Sequence, residues 1–196
     1  MPACETLPMG QVTLDDHEGP WTEVEYLALG ETINRIELID GSLWVSPGPN
    51  FPHQSISYRL TSALHHEART AGYRIAEAMN LRIAESRILI PDLIVGRIDR
   101  LAGIVDAASV TLVSEITSPS NAATDRGQKA QFYAAAKIPW YLLVEPDFAG
   151  YDSIELRLFR LDGTTYVEHA TAKQGETLTS DLPFPIAIST EALLDF

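Results

Sequence analysis

Residues 87–95, RILIPDLIV, and residues 110–117, VTLVSEIT, each carry one acid inside an apolar run. Short apolar runs of this kind predict buried β-strands. A carboxylate inside a buried strand is costly to desolvate unless a partner compensates its charge. Asp92 and Glu115 therefore need partners, and two acids in neighbouring runs suggest a shared cation.

A lysine follows on the next predicted element. A break from Pro119 through Asn121 could cap a helix that runs from about Ala122 to Lys137, and Lys129 lies within it. Carboxylates from two strands can hold a divalent cation, and an ammonium from a helix can approach a scissile phosphate and the attacking water. The pattern thus indicates the chemistry of a metal-dependent phosphodiesterase.

Composition limits the classes of protein that fit. The chain has 196 residues, which suits one well-cored domain, and its net charge of −13 counts against a protein that coats nucleic acid through a basic surface. Cys4 is the single cysteine, so no disulfide forms within the chain. The first ten residues show no secretory signal and no apolar run is long enough for a bilayer, so the sequence predicts a cytoplasmic protein without a membrane segment.

The remaining pattern predicts an α/β (α+β) mixture around a central mixed sheet. Residues 1–20 are expected to form a loosely held arm, and residues 21–196 a single domain. Asp40-Gly41 is a two-residue turn signal for an N-terminal β-hairpin. The further predicted elements are a short helix capped by Thr22, a long amphipathic helix from His53 to Ala71, strands over 73–78, 80–84, 87–95, 110–117 and 140–145, and a C-terminal β-meander from Ile154 to Thr171.

Several motifs in this order resemble the Uma-two family of endonucleases, within the restriction-endonuclease-like, or PD-(D/E)xK, superfamily. The similarity runs from about Thr22 to the end of the chain. The motifs that carry it are Arg35-Ile36-Glu37-Leu38-Ile39-Asp40-Gly41, Pro52-His53-Gln54, Pro91-Asp92-Leu93, Ser114 to Ser120, Asp125, Lys129, Tyr133, Pro139-Trp140-Tyr141 and Val144-Glu145-Pro146. The resemblance implies a sheet flanked by helices with a metal-binding acidic site at one edge.

Residue by residue, the resemblance implies that Asp92 and Glu115 are metal ligands, Glu37 a further acid and Lys129 the catalytic lysine. The superfamily usually has a lysine two residues after the second acid, where this chain has Thr117, and Lys129 is the substitute. The expected reaction is Mg²⁺-dependent hydrolysis of phosphodiester bonds, with Mn²⁺ as a possible substitute and DNA a better candidate substrate than RNA. Dimers are common in the superfamily, which implies a homodimer.

Each candidate residue also has a structural alternative. Asp92 or Glu115 could cap a loop or pair with an arginine such as Arg82 or Arg97. Lys129 could pair with Asp125 on a solvated helix face, and Glu37 could face solvent. His53 and Gln54, at the start of the long helix, could contact substrate phosphate or serve as caps. Tyr133 is expected to pack against the sheet.

Two functions therefore remain open at this point. One is the endonuclease, and the other is a catalytically inactive domain of the same fold that acts as a protein-interaction or binding module. The net acidity and Thr117 favour the second function. Uptake of Mg²⁺ at Asp92 and Glu115 would distinguish them.

Overall fold

The computed structural model describes residues 17–30, 32–118 and 125–196. The α-helices in these residues are α1 (Glu23–Ala28), α2 (Phe51–Thr70), α3 (Ala130–Ala135) and α4 (Thr190–Leu193). The strands are β1 (Arg35–Ile39), β2 (Ser42–Ser46), β3 (Arg74–Glu77), β4 (Leu81–Ala84), β5 (Arg87–Leu89), β6 (Leu93–Gly96), β7 (Val105–Asp106), β8 (Val110–Ile116), β9 (Trp140–Pro146), β10 (Ile154–Asp162), β11 (Thr165–Ala172), β12 (Thr177–Ser180) and β13 (Ile186–Ser189).

The larger sheet is the mixed sheet that the sequence predicts. Its six strands have the order β11-β10-β9-β8-β6-β3, and β8 and β9 are parallel while the other neighbours are antiparallel. Helix α2 packs on one face through Ile56, Leu60 and Leu64, which recur at intervals of four and are fully buried. The amphipathic stripe of this helix is thereby confirmed.

A second sheet has five strands in the order β2-β1-β5-β4-β7. Its first two strands form the hairpin predicted at Asp40-Gly41. Both turn residues have positive φ, 52° for Asp40 and 80° for Gly41, as a tight hairpin turn requires. A Cβ on Gly41 would also lie 2.7 Å from the Cβ of Pro20, so glycine is needed there for space as well.

The prediction of one strand over 87–95 is wrong. The chain leaves the second sheet after β5 and joins the larger sheet as β6, with Ile90, Pro91 and Asp92 between them. Pro91 has no backbone N–H to give to a ladder, which favours a break at this point. The break places Asp92 at the junction of the two sheets.

The predicted helix from Ala122 to Lys137 is shorter in its described part. A π-helical turn over Asp125–Lys129 leads into α3, which ends at Ala135. Lys137 has a φ of 62°, outside the right-handed helical region, so the helix stops before it. The expected start at Ala122 and the break over 119–121 lie outside the described residues.

Most of the predicted N-terminal arm, residues 1–16, also lies outside the described residues. Within the described part, His17 stacks on Trp21 with ring centroids 3.8 Å apart. Thr22 caps α1 and forms a capping box with Glu25, as the sequence predicts for the start of this helix. None of the helices in ranges 17–30, 32–118 and 125–196 is both long and apolar enough to cross a bilayer.

Candidate active site

Lys129 lies between two carboxylates that come from different sheets. Its Nζ is 3.2 Å from Oε1 of Glu37 on β1 and 3.2 Å from Oε1 of Glu115 on β8. Lys129 is 4% exposed, Glu37 3% and Glu115 0%. The alternatives of a lysine on a solvated helix face and of a Glu37 that faces solvent are therefore wrong.

Tyr133 contributes a contact that the sequence did not reveal. Its hydroxyl donates a hydrogen bond of 2.5 Å to Oε1 of Glu115. Lys129 directly precedes α3 and Tyr133 lies within it, four residues further on, a spacing that places both on one helix face. Burial, together with the negative charge of Glu115, raises the pKa of Tyr133 well above its usual value, so the hydroxyl stays a donor.

The third carboxylate, Asp92, has its own set of partners. Its Oδ1 accepts a hydrogen bond of 2.7 Å from Nη1 of Arg35, and its Oδ2 accepts one of 2.7 Å from the backbone N–H of Ile116. Nε2 of His53 lies 3.3 Å from the same Oδ2. Arg35, rather than Arg82 or Arg97, is thus the arginine that pairs with Asp92.

Strand register brings the two groups of residues into one site. Leu93 on β6 pairs with Ser114 on β8 in an antiparallel ladder. Continued by one residue, this register sets Asp92 opposite Glu115, and residues directly opposite each other share a face of the sheet. Burial opposes the charged form of Arg35, but the negative charges of Asp92 and then Glu115 raise its pKa above the usual value.

The two candidate residues at the start of α2, His53 and Gln54, have different surroundings. His53 is buried, contacts Asp92 and donates its backbone N–H to the Oδ1 of Asn50, the N-cap of the helix. Within the described residues, Nδ1 of His53 has no hydrogen-bond partner. Gln54 is exposed, and its amide reaches the backbone carbonyl of Pro49 at 3.4 Å. His53 therefore joins the site and Gln54 stays outside it.

Part of this site lines a cavity of about 530 Å³. Arg35, Glu37, His53 and Lys129 line its charged part. Strand β2, the loop after it and Asn50, the N-cap of α2, line much of the rest. A ligand in this cavity would meet the buried carboxylate of Glu37 and the ammonium of Lys129 together.

The fit of a divalent cation depends on charge and donor type. Among the described residues, no group of three or more His, Cys, Asp or Glu side chains is already arranged as a metal site. Asp92, Glu37 and Glu115 supply three carboxylates, and the basic side chains of Arg35 and Lys129 contact them. Carboxylate oxygens are the donors that Mg²⁺ prefers, so the type of donor fits this ion.

The surroundings of Asp92 predict how the stability of the protein depends on pH. Burial disfavours its charged form, but the His53 hydrogen bond and the Arg35 charge outweigh burial and hold the pKa of Asp92 well below its usual 3.8. The stabilisation is then complete above the unfolded-state pKa and is lost as pH falls below it. In urea unfolding from pH 6 to pH 3, the stability advantage of the wild type over Asp92→Asn should shrink on acidification, by up to about 1.4 kcal/mol per pH unit. A constant difference would contradict the depressed pKa.

A second prediction concerns the hydroxyl of Tyr133. Tyr133→Phe should lower the free energy of unfolding by about 1.5–3 kcal/mol, because a buried hydrogen bond to a charged acceptor is lost. Urea unfolding measures this change. The matched control is Tyr58→Phe, since Tyr58 is 70% exposed. Removal of this exposed hydroxyl should change the free energy of unfolding by less than about 0.5 kcal/mol. Equal effects of both variants would show that the Glu115 contact is not stabilising.

The fold and the site define the class of this protein: an α+β domain of the restriction-endonuclease-like type, with acids and a lysine gathered where the six-stranded and the five-stranded sheets meet. The family model Uma2, described as "Putative restriction endonuclease", matches residues 23–194, and the chain belongs to this family. Its family and fold support a nuclease.

A solved structure has the same fold. The crystal structure of "a putative nuclease belonging to DUF820" from Anabaena variabilis ATCC 29413 aligns with a TM-score of 0.64 and 20% sequence identity. The alignment covers 89% of this chain and 98% of that chain. No curated protein matches this chain significantly.

Proposed function

We propose that the protein is a metal-dependent endonuclease that hydrolyses phosphodiester bonds in nucleic acid, with DNA favoured over RNA. The observation that carries the proposal is the buried ammonium of Lys129 in contact with both Glu37 and Glu115 at the wall of an open cavity. Lysine is a compact point charge that suits close approach to a phosphate. Membership of the Uma2 family supports the same chemistry.

Mg²⁺ is the proposed cofactor, with Mn²⁺ as a substitute. Asp92 and Glu115 would hold it, and Glu37 would act as a further acid directly or through water. When bound, the ion would polarise the scissile phosphate and lower the pKa of a water molecule.

The protein's own residues prepare the site for this reaction. Lys129 places a positive charge where negative charge develops on the phosphate. Tyr133 orients Glu115, and Arg35 and His53 orient Asp92, so each carboxylate is held in one rotamer by a second side chain. Arg35 also lines the cavity and can bind a phosphate oxygen through its other N–H groups.

The test is cleavage of DNA and RNA by the purified full chain in Mg²⁺, in Mn²⁺ and in EDTA. The wild type should cut in either metal and not in EDTA. Glu115→Gln keeps the size of the side chain but removes its charge, and it should abolish cleavage. Glu145→Gln is the matched control, since Glu145 lies on the adjacent strand β9 and pairs with Arg157 instead, and it should retain cleavage.

Absence of cleavage in both metals, for DNA and RNA alike, would refute the proposed activity. Equal cleavage by Glu115→Gln and the wild type would refute the proposed site. Circular dichroism of each variant is needed to verify that it is folded.

A non-catalytic binding module of the same fold is the second candidate function. It is favoured by the observation that protein cations already contact Asp92, Glu37 and Glu115, together with the net charge of −13. Calorimetric titration with Mg²⁺ separates the two functions, because the endonuclease should bind the ion and lose this binding in Glu115→Gln. The homodimer and the cytoplasmic location stay predictions, and light scattering in solution would test the first.

A further inference from the structure

Trp44 forms part of the cavity wall together with Glu37 and Lys129. In the β1–β2 ladder Trp44 lies directly opposite Glu37, so both side chains are on the same face of the hairpin. The indole is half-buried, packs against the apolar cluster that includes Tyr133 and lines the same cavity as Lys129. One part of the ring is thus anchored while another part is accessible to a ligand.

The charges of the described residues leave little capacity for binding a long duplex. The chain has 14 Lys and Arg residues against 27 Asp and Glu residues. Six of these cations already contact carboxylates in the described part: Arg35, Arg59, Arg82, Arg87, Arg157 and Lys129. Affinity for duplex DNA comes mainly from cations that neutralise successive phosphates, so it should be weak here.

Base stacking is a source of affinity that does not need a basic surface. Aromatic side chains stack on unpaired bases of any sequence, because every base has a π-face. The bases of a continuous duplex are stacked on one another and are not available to an indole in a cavity wall. The accessible indole, the neighbouring ammonium and the acidic surface therefore favour an unpaired nucleotide.

We propose that Trp44 stacks on an unpaired nucleobase of the substrate, so that the site takes single-stranded or locally unpaired nucleic acid. This inference rests on the proposed function and specifies its substrate class. A nucleotide stacked on Trp44 would direct its phosphate toward Lys129 and Arg35, which line the same cavity. Trp44 is a positioning residue in this proposal.

Binding is tested in EDTA, where no cleavage is expected, by the anisotropy of a labelled single-stranded DNA oligonucleotide and of its duplex form. The wild type should bind the single strand more tightly than the duplex. Trp44→Ala should weaken binding of the single strand roughly five- to 150-fold, the range found when a stacking aromatic is removed. Trp44→Phe keeps a π-face and should restore most of this affinity.

Tyr58→Ala is the matched control, since Tyr58 is an exposed aromatic on α2 that does not line the cavity, and it should bind like the wild type. Tryptophan emission gives a second readout. Trp21 and Trp140 are only 9% and 6% exposed, so Trp44 is the accessible one of the three tryptophans. The oligonucleotide should quench the emission of the wild type, and this quenching should be lost in Trp44→Phe.

Failure of this inference can be told apart from failure of the proposed function. If the wild type cleaves nucleic acid but Trp44→Ala binds the single strand as tightly as the wild type, stacking is refuted and the endonuclease stands. If the single strand binds through Trp44 but no metal supports cleavage, stacking is supported and the endonuclease is refuted. Preference for the duplex, or no binding of the single strand, overturns the inference.

Discussion

Lys129→Met is expected to lower the free energy of unfolding by about 3–5 kcal/mol, as happens when one partner of a buried ion pair is removed. Methionine retains much of the length of the side chain but has no charge. Glu37 and Glu115 would then share a buried site without the ammonium that now lies 3.2 Å from each. Both contacts are buried, which is why the expected loss of stability is large.

The same variant should also reduce Mg²⁺-dependent cleavage by about 10²–10³-fold, the typical loss when one group that stabilises developing negative charge is removed. Urea unfolding and single-turnover cleavage measure the two effects separately. Lys173→Met is the matched control, because Lys173 is exposed and should change stability by less than about 0.5 kcal/mol.

A double variant tests whether the stability loss comes from the carboxylates. Lys129→Met combined with Glu115→Gln removes one of the two carboxylate charges that Lys129→Met leaves without a partner. The double variant should therefore lose less stability than the sum of the losses in the two single variants. Strict additivity would show that Lys129 and Glu115 do not interact energetically. A stability of Lys129→Met within 1 kcal/mol of the wild type would contradict the buried ion pairs.

Arg35→Met is the second change with a large expected effect. It removes the guanidinium from Asp92, whose side chain is fully buried, and should destabilise the protein by about 3–5 kcal/mol at neutral pH. The loss should become smaller as pH falls, because the stranded carboxylate can then take up a proton. Urea unfolding at pH 7 and pH 4 measures both the loss and its change.

Arg82→Met is the matched control for this experiment. Arg82 also contacts two acidic residues, Glu23 and Asp106, but its side chain is 33% exposed against 14% for Arg35. Exposed pairs contribute about 0–1 kcal/mol each because solvent screens them. Equal losses of stability in Arg82→Met and Arg35→Met would mean that burial does not increase the contribution of the Arg35–Asp92 pair to stability.

Elements specified by local patterns could be predicted from the sequence. The apolar residues Ile56, Leu60 and Leu64 recur at helical spacing, and Asp40-Gly41 encodes its hairpin through positive φ angles. These signals act within a few residues, so they do not depend on the rest of the fold. The resemblance to a family added Glu37 to the site and assigned roles to Asp92, Glu115 and Lys129.

Elements that depend on distant contacts could not be predicted in the same way. Arg35 is 57 residues from Asp92, and no periodicity indicates which of several arginines would reach that acid. The break between β5 and β6 falls inside a continuous apolar run, and only the proline signals it. Tyr133 could have been proposed from its spacing of four residues from Lys129, although aromatic residues on helices usually pack.

The break at Ile90–Asp92 connects the five-stranded sheet to the six-stranded sheet next to the candidate site. The amide of Ile90 donates to Oε1 of Glu37, and the amide of Ile116 donates to Oδ2 of Asp92. Both amides lie beside the connection between the sheets, whereas the contact of Arg35 with Asp92 and the contacts of Lys129 with Glu37 and Glu115 join one sheet to the other. Opening of the molecule at this connection would expose both amides to deuterium. Hydrogen exchange at these two amides, followed by NMR, should therefore report how often the molecule visits an open form in which its acids are dispersed.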